Sequence, residues 1–425
     1  MTMSVRSRVL RAAVAALVVA GLLPAGSSTS TAAPATAATV LPGPAGDKAV
    51  RPYMGWSSYS MQVYNPNGGS WITADQLIAQ SDAMHAKLQP YGYEYINIDA
   101  GWNDGIDEYG RPKPSTKLYP NGLQAVIDHI HANGQKVGLY TIPGISKAVI
   151  DAKLPIYNAP GCTTGDLPVL PLQKGDYWGI GYRIDFSKPC AQKYIDSIAD
   201  LFGSWGLDFL KFDSVTPGSG ISDLSVDARD DVKAWSQALK RHNIWLELSW
   251  ALDINYADTW KQYANGWRIE WDVECYCTGT ALTAWPNINR LFPKLAEWWR
   301  HAGPGGWNDL DSLDVGNGQM DGLTKDETPD GGHAVGGVRG ADVHRQRHDQ
   351  AGLVRSRTAD QPRGDRGQPG RPSGAPAVHE DQPSDVVRAQ PGQLVHRCPV
   401  QPRSDRRRHD GELRRPRPER RREGA

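Results

Sequence analysis

The chain has 425 residues and balances 47 lysines and arginines against 47 aspartates and glutamates, a formal net charge of zero. That balance argues against a nucleic-acid partner, which would favour a basic surface. With both ends set aside, about 280 residues remain, a length that suits one large α/β domain.

In chain order, residues 1–37 read as a signal peptide. Arg6, Arg8 and Arg11 precede an apolar run from Ala12 to Leu23, too short to span a bilayer, and Ala35-Thr36-Ala37 offers a cleavage site. This pattern implies export from a bacterium-like cell, a secreted protein, and no membrane association after cleavage. Residues 38–48 read as a linker, and residues 49–327 as the folded body.

In the body, strand-like runs alternate with amphipathic stretches, which predicts βα units on a parallel sheet. The expected strands are Tyr53–Ser57, Tyr95–Asp99, Lys136–Tyr140, Phe209–Asp213, Ile244–Leu248, Trp267–Asp272 and a short one near Gly306–Asp309. The expected helices are Ala74–Leu88, Gly122–Asn133, Cys190–Trp205, Ala228–His242 and Leu291–His301. The fold class is therefore α/β, a (β/α)8 TIM barrel that is one strand short.

Residues 328–425 do not match the body. They contain no Phe, Trp, Tyr, Ile, Met, Lys or Asn. Such a segment buries too little apolar surface to offset its ordering entropy, so disorder is one reading. A polyanion-binding tail around Arg406–Arg422 is a second. The preferred reading is translation out of frame. Back-translated with GC-rich codons and read one base on, Asp330–Val338 gives TAVTLWAV, a helix. Arg339–Gly352 gives GAPMFIGNDMTKL, a strand and turn that would supply the eighth barrel strand.

Chemistry concentrates where the strands end. Phe209-Leu210-Lys211-Phe212-Asp213 and Trp267-Arg268-Ile269-Glu270-Trp271-Asp272 are apolar runs that each deliver a carboxylate at the strand terminus. In a barrel that terminus is the mouth, where active sites sit, and two facing acids are the minimum equipment for cleaving a glycosidic bond. Trp56, Asp99, Tyr140, Ser249 and Asp311 mark the other predicted strand ends. An aspartate at a strand end is more often a cap or turn residue, but seven polar or aromatic ends on one face exceed that explanation. Trp102, Trp250, Trp271 and Trp307 fall near the same ends, either as sugar platforms or as core filling.

These motifs resemble glycoside hydrolase family 27, the α-galactosidase clan, over roughly residues 52–327. The resemblance rests on MGWSSY at Met54, YEYINIDAGW at Tyr93, KVGLYTIPG at Lys136, DFLKFDSV at Asp208, WRIEWD at Trp267 and GPGGWNDLDSLDVGNG at Gly303. It implies Asp213 as nucleophile and Asp272 as general acid/base, with Trp56, Asp99, Tyr140, Lys211, Ser249, Trp250, Arg268 and Asp311 lining the sugar site. It also implies a secreted retaining hydrolase of terminal α-galactosides, needing no cofactor and no metal, whose partner is an oligosaccharide or polysaccharide. A small C-terminal β domain, typical of the family, is expected to be lost with the reading frame.

Two departures bear on the substrate. The paired aspartates usual at the second strand end read Asp99-Ala100, and a glutamate common in galactosidases is Ser249. Activity on β-L-arabinopyranosides, α-N-acetylgalactosaminides or isomaltose units of dextran is the alternative, and an inactive carbohydrate-binding barrel is a rival of another class. Export permits disulfides: Cys162 and Cys190 could close a loop, and Cys275-Tyr276-Cys277 could pair internally or, less favourably, bind metal.

Overall fold

The computed structural model describes residues 43–64, 71–220, 224–276, 280–316 and 318–327. Residues 1–37 and 328–425, on which the signal-peptide and reading-frame expectations rest, lie outside them.

Seven parallel strands form one sheet, and their spatial order is their chain order. They are β1 Gly55–Ser57, β2 Tyr95–Ile98, β3 Lys136–Thr141, β4 Phe209–Phe212, β5 Trp245–Leu248, β6 Gly266–Arg268 and β7 Trp307–Asp309. Helices follow the strands: α1 Ala74–Lys87 after β1, α2 Leu123–Ala132 after β2, α3 Pro189–Ser204 after β3, α4 Arg229–Lys240 after β4, α5 Ala257–Tyr263 after β5 and α6 Leu291–Trp298 after β6. This repeated strand–helix pattern on a parallel sheet is the wall of a (β/α) barrel. Among the described residues β1 and β7 are each paired on one side only.

Local sequence explains the helices. Thr73 and Gln76 form a reciprocal capping box at the start of α1, and Leu77, Ser81 and Met84 line its buried face. Pro189 opens α3, which buries Ala191, Tyr194, Ile195, Ile198, Ala199 and Phe202. The excursion between β3 and α3 carries a short hairpin, Ile145–Ser146 with Gly181–Tyr182, and is stapled by a Cys162–Cys190 disulfide. Cys275 is also disulfide-bonded, and Cys277 lies outside the described residues.

Inward side chains stack in layers. The lowest is an aromatic floor of Tyr53, Tyr95, Phe209, Trp245 and Trp307. Its rings meet closely, with centroids 4.8 Å apart for Tyr53–Phe209 and 5.5 Å for Tyr53–Trp245. The Tyr53 hydroxyl also donates to Asp309 Oδ2 of β7 at 3.3 Å. A residue preceding β1 can touch β4, β5 and β7 only if the sheet curls into a barrel wall.

Residues 43–48 are not a free linker as expected. Ala45 is buried against the floor, its N–H bonds Asn265 Oδ1, and Lys48 pairs with Asp208 at 2.8 Å. They cap the base of the barrel.

The layer above the floor holds Asn97, Gly138, Glu247, Gly266 and Asp309. Glycine is required at two of these places. A Cβ on Gly138 would lie 2.7 Å from Asn97 Oδ1, and one on Gly266 would lie 1.8 Å from Glu247 Oε2. Large and small side chains alternate so that the interior fills.

Candidate active site

Above that layer, at the C-terminal ends of the strands, charged groups converge. Lys211 of β4 donates to Asp99 Oδ2, just beyond β2, at 2.8 Å. Burial alone would depress the Lys211 ammonium, but the Asp99 and Asp213 carboxylates outweigh it and hold its pKa above the ordinary lysine value. Asp213 follows β4 directly, receives the Ser214 N–H at 2.9 Å, and hydrogen-bonds the Tyr140 hydroxyl of β3. The Tyr140 phenol stays protonated far above neutrality because it is buried and because Asp213 and Asp99 lie close.

A second knot forms at β6 and β7. Arg268 Nη2 reaches Asp272 Oδ1 and Asp311 Oδ2, each at 3.0 Å. Asp311 Oδ2 also accepts the Val273 N–H at 2.7 Å, fixing the backbone beside Asp272. Arg290 closes the loop by bonding Glu270 Oε1 and the Asp272 carbonyl. Burial raises the Asp272 carboxyl; Arg268 opposes that, while the Asp311 and Asp213 charges add to it. Asp272, beyond the end of β6, thus feels the charge of Asp213 at the end of β4.

Three residues at these strand ends hold left-handed backbone without being glycine: Ser214 at φ 65, Ala251 at φ 46 and Asp311 at φ 74. Such conformations are sparsely populated and gather where a backbone must aim side chains.

The structure brings together Asp99, Tyr140, Lys211, Asp213, Arg268, Asp272 and Asp311. Ser249 is buried at the end of β5, and Trp250 sits behind the mouth, packed against Tyr177 at 4.7 Å and Trp271 at 4.8 Å. Trp56 is placed elsewhere. It turns outward from β1 and, with Gln80, Ala83, Met84, Lys87 and Leu88, lines a groove of about 440 Å³ against α1. The pleat explains this, since Ser57 is the inward residue, accepting from Asn97 Nδ2 at 3.1 Å.

The aromatic residue that does reach the site from this segment is Tyr59, absent from the sequence reading. Its ring lies 5.8 Å from Lys211 Nζ, and burial, then Asp99, pushes its hydroxyl up to about 12. Inward alternation through positions 55, 57 and 59 is the signal that could have found it. Glu274 was also missed. It joins Ser60, Ser312 and Tyr276 by hydrogen bonds, and burial, then Asp311, pushes it up to about 8. Two tryptophans near strand ends are core instead: Trp102 packs on Phe202 and Trp205, and Trp307 belongs to the floor. Trp271, 41 % exposed, flanks Asp272.

Among the described residues no group of three or more His, Cys, Asp or Glu is arranged to hold a metal ion, and no helix is long and apolar enough to cross a membrane.

The family model described as alpha galactosidase A matches residues 51–150 and 170–329. An alpha-galactosidase of Oryza sativa is 27% identical over 281 residues, covering 63% of this chain and 52% of that protein. Alpha-galactosidase A of Cellvibrio japonicus is 27% identical over 283 residues, covering 64% and 56%. The chain spans about half the length of the curated relatives it matches. Among solved structures, a GH27 β-L-arabinopyranosidase from Geobacillus stearothermophilus superposes with a TM-score of 0.55 at 25% identity, covering 66% of each chain. The same enzyme in complex with arabinose gives 0.55 at 26%, covering 64% and 63%.

Proposed function

Because the chain belongs to the alpha galactosidase A family, we propose that it is a secreted retaining glycoside hydrolase that removes terminal α-galactosyl units from oligosaccharides or polysaccharides. The observation that carries this reading is the unlike pair of acids at the mouth. Asp213 stands beside the Lys211 ammonium and accepts the Tyr140 hydroxyl, at the end of a barrel strand. Asp272 is desolvated and keeps a proton more readily than a free aspartate. In the first step Asp213 attacks the anomeric carbon, the bond to the glycosidic oxygen breaks, and that oxygen takes the Asp272 proton. In the second step Asp272, now ionised, draws a proton from water, whose oxygen displaces Asp213 and releases the sugar with its original configuration. Arg268, Asp311, Asp99, Ser249 and Trp250 hold the acids or border the sugar. The reaction as written uses only these side chains and water.

The test is proton NMR of the first product released from nitrophenyl glycosides. Retention supports the reading, and inversion overturns it. Asp213→Ala should abolish turnover and regain part of it with azide, whereas Asp272→Ala should spare substrates whose leaving group needs no proton.

A second reading is β-L-arabinopyranosidase activity. It is favoured by Ala100, which stands where a second acid would grip a hydroxyl, and by the likeness to the Geobacillus enzyme. A panel containing both nitrophenyl glycosides separates the two.

A further inference from the structure

Below the catalytic pair lies a group that this mechanism leaves without a role. Glu247 projects inward from β5 and is only 2 % exposed. Trp245 Nε1 donates to its Oε2 at 2.8 Å. Its Oε1 meets no N–H or O–H donor, and the carboxyl of Asp309 on β7 lies close enough to act on its charge. Room for this contact exists because β6 presents Gly266 at the register position beside Glu247. Two carboxyls in contact satisfy each other only when one proton lies between them.

Resting on the glycosidase reading, we propose that Glu247 is a positioning residue: with Asp309 it forms a hydrogen-bonded carboxyl pair that holds Asp311 and Arg268 in place, and through them the acid/base Asp272. The path is continuous. Asp309 Oδ1 accepts the N–H of Asp311 at 2.7 Å, and Asp309 Oδ2 accepts the Tyr53 hydroxyl at 3.3 Å. The first of these bonds pins Asp311 in its left-handed conformation. Asp311 in turn binds both Arg268 and the Val273 N–H, the partners that fix Asp272 from two sides.

Charge closes the argument. The ionisable groups facing the pair are Tyr53 from the segment before β1, Arg268 on β6, Asp311 after β7, and Lys211, the register neighbour of Glu247 on β4. Lys211 is engaged by Asp99, and Arg268 by Asp272 and Asp311. Among the described residues no cation is left to neutralise a second negative charge in this layer. Burial, and then Asp309, hold Glu247 well above the usual carboxylate range, and burial likewise raises Asp309. Loss of the shared proton would place two like charges beneath Arg268 and draw it from Asp272.

The experiment uses the full chain, both as written and with one base restored near codon 327. Glu247→Gln supplies an N–H in place of the shared proton. It should keep kcat within about threefold, and its alkaline limb should move and lose the steepness of one proton. Glu247→Leu supplies nothing and should lower kcat roughly ten- to a hundredfold, the worth of a hydrogen bond to a charged group, with KM little changed. Infrared difference spectra should show a protonated-carboxyl band in the parent that Glu247→Gln removes.

Equal kcat and pH profiles in all three proteins would overturn the proposal. So would equal loss of activity in both variants, which would mark a merely structural residue. Absence of the band with turnover intact would overturn the pair alone. No turnover on the glycoside panel with the band present would instead overturn the glycosidase reading.

Discussion

On the proposed glycosidase reading, Ala100 is the residue expected to bear most on substrate choice. Its carbonyl is tied to Gln62 Nε2 at 2.7 Å, so the backbone there is fixed beside Asp99. Ala100→Asp should restore a grip on a hydroxyl and raise galactoside kcat/KM roughly ten- to a hundredfold. A parent already selective for galactosides on the panel would show that another acid supplies the grip. Trp56 and Tyr59 make a complementary pair. Trp56→Ala removes packing between β1 and α1 and should lower stability by about 2 kcal/mol with KM unchanged. Tyr59→Ala should raise KM roughly three- to tenfold and leave the urea midpoint nearly in place. Exchange of the two effects would return Trp56 to the sugar site. The strand-end acids were legible in sequence because each closes an apolar run. Trp56 was misassigned because a resemblance conveys which motif is present but not which way the pleat turns. Glu247 escaped because one polar residue in Trp-Leu-Glu-Leu reads as an interruption, when it is the inward position between Trp245 and Ser249.

At the scale of elements, all seven strands were legible because β-branched and aromatic runs alternate with amphipathic helices. Their ends were not. The strand expected to reach Asp272 stops at Arg268, because Arg268 and Arg290 draw the next four residues into a polar knot. The hairpins Asn103–Ile106 with Pro112–Pro114, and Ile145–Ser146 with Gly181–Tyr182, are too short to leave a periodic trace. One helix carries a pH-dependent penalty. Asp231 of α4 is buried, accepts the Gly144 N–H at 2.8 Å, and is pushed up to about 7, chiefly by burial. Since the folded pKa lies above the unfolded one, this group favours folding most below about pH 4. That contribution fades as pH rises to about 7 and is constant beyond. Asp231→Asn keeps the acceptor without the charge. It should stabilise by up to about 4 kcal/mol above pH 7 and by almost nothing near pH 4, measured as urea midpoints across that range. A gain independent of pH would trace to packing instead.

For the molecule as a whole, the sides of β1 and β7 left unpaired among the described residues are expected to decide behaviour. Exposed strand edges template aggregation, and the groove beside Trp56 adds apolar surface next to one of them. We expect the 425-residue product to be insoluble or inactive, and restoration of one base near codon 327 to give a soluble, active enzyme. A cooperative melt with robust turnover from the unaltered chain would sink the out-of-frame reading. The aromatic floor has a separate consequence. Five aromatic rings floor the end of the barrel away from the site, so in the closed barrel that the restored frame would give, the site is a blind well with one door. On the glycosidase reading a polymer would not thread through it; only a chain terminus would dip in and be trimmed by one unit per visit. On that reading the freed monosaccharide would back out along the path the next substrate needs, and its accumulation should slow the reaction in direct competition with substrate.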